Sequence, residues 1–129
     1  MDIASIDDSK VEGGAELHLR DPLSGEKLYN GEGKKKKPLI IVMRGSDSAS
    51  YKLQFSNIAN IPSEIRDVKE AACGLLASCV IDWPNGIIED GKELEFSTEN
   101  AKGLFLRRRW IYLQADAFLH KRANFFTVA

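Results

Sequence analysis

The chain has 129 residues, enough for one domain with one hydrophobic core and too few for two large ones. Hydrophobic residues make up 43%, the proportion of an ordinary folded domain, which excludes a chain too polar to collapse. Lys plus Arg number 18 against 19 Asp plus Glu, a formal net charge of -1, and that balance argues against a strongly basic nucleic-acid binder.

Met1 to Asp8 is acidic and lacks the basic-then-apolar pattern of a leader. No apolar run approaches the ~20 residues that cross a bilayer. A soluble, cytoplasmic protein without a membrane partner is the expectation. Residues 1–13 are polar and small and read as a flexible arm. Ala15-Glu16-Leu17-His18-Leu19-Arg20 alternates apolar and polar, the period of a half-buried strand. Asp21-Pro22-Leu23-Ser24-Gly25 reads as a turn, Lys27-Leu28-Tyr29 as a short second strand and Asn30-Gly31-Glu32-Gly33 as another turn. The lysines Lys34 to Lys37 lead into Pro38 and the β-branched run Leu39-Ile40-Ile41-Val42-Met43-Arg44, the strongest strand signal in the chain. Strands over 15–20 and 38–44 are expected to pair antiparallel. Residues 14–45 then form a small β-unit that must pack on something, since two or three strands alone are marginal in water.

The remainder, 46–129, reads as helical. Ser46-Asp47-Ser48 offers N-cap oxygens, and Tyr51, Phe55, Ile58 and Ala59 recur at helical spacing. Pro62 interrupts, Ser63 is a second cap candidate, and Ile65, Val68, Ala72, Leu75, Leu76 and Cys79 trace one helix face. Trp83-Pro84-Asn85-Gly86 ends that helix. The Asp90-Gly91 pair suggests a tiny hairpin inside the connector 87–96. Ser97 caps a helix carrying Ala101, Leu104 and Phe105, and Trp110, Ile111, Gln114, Ala117 and Phe118 suggest a last helix ending near His120. The predicted architecture is a single α+β domain: a small N-terminal antiparallel β-unit followed by a three- to four-helix bundle. Its core is expected to hold Ile65, Val68, Leu75, Leu76, Leu104, Phe105, Ile111 and Phe118.

Catalytic chemistry finds little support. His18 and His120 have no triad or metal-ligand context. Gly31-Glu32-Gly33-Lys34 only mimics a phosphate loop, because its lysines lead into a strand. The lysine run reads as a solvated tip that also discourages edge aggregation. Cys73 and Cys79, six positions apart on one helix, sit about 9 Å apart in rise. That exceeds disulfide reach of about 7 Å, so reduced core thiols are expected. Acidic residues are scattered without an acid-base pair. No enzyme activity and no cofactor are expected. Arg107-Arg108-Arg109 with Trp110 remain as candidates for a partner surface, the arginines equally for salt bridges within the domain, and Phe125 with Phe126 either tuck back onto the domain or join a partner or self-association surface.

Stretches toward both ends of the chain carry a resemblance. Trp83-Pro84-Asn85-Gly86-Ile87, Asp90-Gly91-Lys92-Glu93-Leu94-Glu95-Phe96-Ser97 and Glu99-Asn100-Ala101, with Gln114-Ala115-Asp116-Ala117-Phe118 and Lys121-Arg122-Ala123-Asn124-Phe125, resemble the C-terminal part of tail assembly chaperones of long-tailed phages and prophages. Gly14-Ala15-Glu16-Leu17-His18-Leu19-Arg20-Asp21-Pro22 with Gly25 and Leu28-Tyr29 is similar to their start. Thr98 stands where that family more often has proline, and the arginine cluster and the 126–129 extension are less typical. The resemblance implies binding to the tape-measure protein, keeping it soluble while tail tube assembles around it, in the host cytoplasm and outside the mature virion. It also implies self-association, and contact with tail tube protein through a frameshifted longer form. The rival readings are a small phage protein inhibiting a host or defence complex and a structural tail subunit.

Overall fold

The structure, a computed structural model, describes residues 1–128. Its elements in chain order begin with β1 (Ile6–Asp7), α1 (Ser9–Gly13), β2 (Ala15–His18), β3 (Tyr29–Asn30), β4 (Lys37–Pro38) and β5 (Ile40–Met43). There follow α2 (Ala49–Ala59), α3 (Val68–Ser78), β6 (Val80–Asp82), β7 (Ile88–Glu89) and β8 (Lys92–Glu93). The chain closes with α4 (Thr98–Arg107), α5 (Arg109–His120) and β9 (Thr127–Val128). The fold is α+β, as expected.

The alternation over 15–20 places Ala15 and Leu17 in the core and Glu16 in solvent. β2 pairs antiparallel with β5, Leu17 opposite Ile41. The sheet differs from the expected N-terminal unit in one respect: β6 supplies its third strand, so the order is β2-β5-β6. Ile40, Ile41 and Met43 of β5 are all buried, and a strand that is apolar on both sides belongs in the middle of a sheet. The Cys79-Val80-Ile81 run therefore leaves the helix, which ends at Ser78, and pairs with β5.

Four helices pack beside this sheet, α3 against α2, α4 and α5, and α4 against α5. Leu76, Leu104, Phe105 and Ile111 are buried as predicted, while Leu75 and Phe118 are half-buried. Ile65 and Val68 depart from expectation, being 75% and 76% exposed. Trp83 is buried, and its indole N–H donates to the Leu94 carbonyl at 2.9 Å, which removes the cost of hiding that donor. Ser97 caps α4 by accepting from the Asn100 N–H at 2.9 Å. The expected hairpin is β7-β8, whose turn residues Asp90 and Gly91 have φ of 52° and 78°, the left-handed pair that a tight hairpin turn requires.

The expected flexible arm, 1–13, also differs. β1 pairs antiparallel with β9, Ile6 opposite Val128, and Val11 of α1 joins Ala15 and Phe125 in a second small core. The two ends of the chain thus clasp each other. Among the described residues no helix is long and apolar enough to cross a membrane.

Candidate partner-binding surface

The six residues singled out from the sequence fall into two separate places. Arg107 ends α4, Arg108 links it to α5 and Arg109 starts α5. The helix-helix corner turns two of the three guanidinium groups onto Glu89. Arg107 donates from Nη2 at 2.8 Å and Nε at 3.1 Å, and Arg108 donates from Nε at 2.8 Å. Arg108 also reaches Asp90 at 3.6 Å. The hydrogen bond from Arg107, with that from Arg108, holds the Glu89 carboxyl below the usual carboxylate range despite partial burial. Arg109 stands 4.9 Å over the Tyr112 ring. Trp110 is half-buried against the main core, lining a groove of about 280 Å³ with Leu19, Leu39 and Ile88. Arg107 and Arg108 are thus engaged within the domain.

Phe125 takes the tucked-back alternative of the two that the sequence leaves open. It is 2% exposed, edge-on to Phe118 at 5.5 Å, and sits over Gly45 with Val11 and Ala15 around it. Phe126 packs half-buried on the same cluster. Neither ring projects from the surface, because the β1-β9 clasp draws the terminus inward.

Among the described residues the titratable groups form no reactive constellation. His18 Nε2 lies 2.6 Å from the Leu28 carbonyl, and His120 Nδ1 lies 2.9 Å from the Asp116 carbonyl. Both cysteines are free and buried, and burial raises both thiol pKa values, which leaves them poor nucleophiles. Among the described residues no group of three His, Cys, Asp or Glu side chains could hold a metal ion.

An exposed apolar face lies on α2 and α3 and the turn between them. Ser48 Oγ caps α2 by accepting from the Tyr51 N–H at 3.3 Å. The helix then runs its full length with no buried residue. Asp67, not Ser63, caps α3, accepting from the Glu70 N–H at 3.0 Å. Ser63 instead opens a short 3-10 turn that carries Ile65 outward. α3 presents Cys73, Leu76 and Ala77 to the core and a second apolar stripe, Val68, Ala72 and Leu75, away from it. With Phe55, Ile58 and Ala71 this stripe lines a groove of about 210 Å³. A second groove of about 210 Å³ continues past Ile58 to Ile61 and Ile65, with Glu70 and Lys102 on its rim. Glu70 and Lys102 pair there at 2.8 Å.

Arg66 lies in both grooves. Its Nη2 donates to the Ile61 carbonyl at 2.7 Å and to the Ala59 carbonyl at 3.4 Å, closing the end of α2. Its Nε is shielded from water and has no acceptor. Phe55, Ile65 and Val68 are 57%, 75% and 76% exposed, and Ile61 joins them. Side chains of this size stabilise by about 1.5–3 kcal/mol each when fully buried, so a ridge of apolar side chains laid into the grooves has a large driving force. Sequence reasoning assigned Ile65 and Val68 to the core and passed over Ile61 and Arg66. The available signal was the width of the α3 pattern, which is apolar on two sides and needs two partners.

No protein-family model, curated protein or solved structure matches the chain.

Proposed function

We propose that this protein is a tail assembly chaperone of the long-tailed phage type, holding apolar helical stretches of a tape-measure protein on the α2-α3 face until tail tube encloses them. The observation that carries the reading is the exposed apolar row Phe55, Ile61, Ile65 and Val68 on a domain whose main core is already closed. Contiguous apolar surface on a small folded domain marks a binding surface, and apolar stripes from two helices lining one groove suit the apolar face of a helix. The sequence resemblance supplies the identity of that helix. In this reading the chain works in the host cytoplasm, self-associates along the partner, and is absent from the finished particle. A frameshifted longer form adds contact with tail tube protein. Binding alone performs the task, with no reaction and no cofactor.

The test is capture of tape-measure fragments by the purified protein and by a Val68→Asp variant. The variant should fold normally and capture at least tenfold less, since covering the introduced carboxylate with an apolar helix face strips it of water and removes the apolar contact of Val68. Equal capture by both proteins contradicts the assignment of this face.

A further inference from the structure

A second surface, sharing no residue with the α2-α3 grooves, lies along the free edge of β2. β2 ends the three-stranded sheet. Its register with β5 pairs Leu17 with Ile41, and the Leu19 N–H donates to the Leu39 carbonyl at 2.9 Å. The odd-numbered residues therefore turn their backbone groups toward β5, and Glu16, His18 and Arg20 turn theirs outward. At Arg20 the outward position is filled. Its N–H donates to Gln114 Oε1 at 2.8 Å, and Gln114 Nε2 donates to its carbonyl at 2.7 Å. One side-chain amide from α5 thus makes the two bonds that a neighbouring strand residue would make. At the other end the Gly14 N–H donates to the Lys10 carbonyl at 2.9 Å. Between these closures the backbone N–H and C=O groups of Glu16 and His18 have no strand partner among the described residues.

The open window faces a groove. Phe118 of α5 and Lys121, the extended residue that follows the helix, stand on one side, and the edge of β2 forms the opposite wall. One stretch of the groove, about 440 Å³, lies between Ala15, Glu16 and Phe118. The next, about 490 Å³, lies between His18, Phe118 and Lys121. Lys10, Arg20, Lys27 and Lys121 line the two stretches, against the single carboxylate of Glu16. None of these four cations makes an ion pair among the described residues.

We propose that this groove docks a short extended acidic segment of a partner protein, which adds as a strand to β2 at Glu16 and His18. Main-chain hydrogen bonds hold it, its carboxylates meet Lys27 and Lys121, and an intervening apolar side chain rests on Phe118. The frame set by Gln114 and Gly14 limits the pairing to a window of two outward residues, so the site reads a brief motif.

The probe is a fluorescein-labelled peptide of about six residues alternating valine and glutamate, titrated into the whole protein by anisotropy, with amide NMR shifts read in parallel. Saturable binding is expected, with the largest shifts at the Glu16 and His18 amides. The Lys27→Glu/Lys121→Glu double variant, checked for folding by circular dichroism, should weaken binding about tenfold. The same peptide N-methylated at every residue should not bind, because neither of its edges then has an N–H to donate to β2. Absence of saturable binding, equal binding of the N-methylated peptide, or unmoved Glu16 and His18 amides overturns the proposal.

Discussion

Glu89 is the residue on which the C-terminal half of the molecule is electrostatically fastened. It joins the β7-β8 hairpin to the α4-α5 corner through Arg107 and Arg108. Its carboxyl is depressed in the folded state, so its contribution is present above the ordinary carboxylate range and is lost as pH falls through the folded value. Glu89→Gln should cost about 1 kcal/mol near neutrality, and the gap from the parent should narrow as pH falls through and below the ordinary carboxylate range. Urea unfolding as a function of pH reads this directly, and a gap that stays constant would refute the ion-pair account. Phe125 makes the other residue-scale prediction. Phe125→Ala should destabilise by about 3 kcal/mol. Gly45→Ala, whose Cβ would stand 3.0 Å from the Phe125 ring, should cost a smaller amount, about 1 kcal/mol. Denaturant midpoints of the two variants test the pair. The sequence showed Phe125 and Phe126 as adjacent apolar residues near a terminus. Which of them is buried depends on Val11 and Gly45, far away in the chain, and nothing local to the pair encodes that.

At the scale of elements, α3 separates what the sequence shows from what it does not. Asp67→Ala should remove the observed cap and cost about 1 kcal/mol, while Ser63→Ala should stay within about 0.5 kcal/mol. Thermal melts of the two variants distinguish the caps; equal losses would contradict the assigned helix start. Both residues are good cap types, and the 3-10 turn Ser63–Ile65 that lies between them is set by packing. The strands at 15–20 and 38–44 and their antiparallel pairing were legible because period-two alternation and a β-branched run are local signals. The Asp90-Gly91 turn, the Ser97 cap and the end of α5 at His120 were legible for the same reason. β6 was not, because Cys79-Val80-Ile81 continues an apolar helical pattern without a breaker, and only the vacant edge of β5 turns it into a strand. The α2-α3 face was half legible: spacing revealed the stripe Tyr51, Phe55, Ile58, but whether a stripe is covered depends on the number of other elements that reach it.

At the scale of the whole molecule, one main core runs from the sheet through α3, α4 and α5, and the ends of the chain are pinned together by β1 and β9. Among the α-helices, α2 alone contributes no buried residue. A domain that closes its core and leaves an apolar helical face outside has kept that face for something else, and in the proposed function the tape-measure protein covers it. Because Ile65 and Val68 are exposed, replacing them should leave the domain's own stability within about 0.5 kcal/mol, so a loss of binding and a loss of folding can be separated. The most direct measurement is co-expression of the tape-measure protein from the same genome with this protein or with its Ile65→Asp/Val68→Asp variant, followed by solubility and co-elution. The account predicts a soluble, co-eluting complex with the parent protein and an insoluble tape-measure protein with the equally well-folded variant. A tape-measure protein that is rescued equally by both, or by neither, would contradict it.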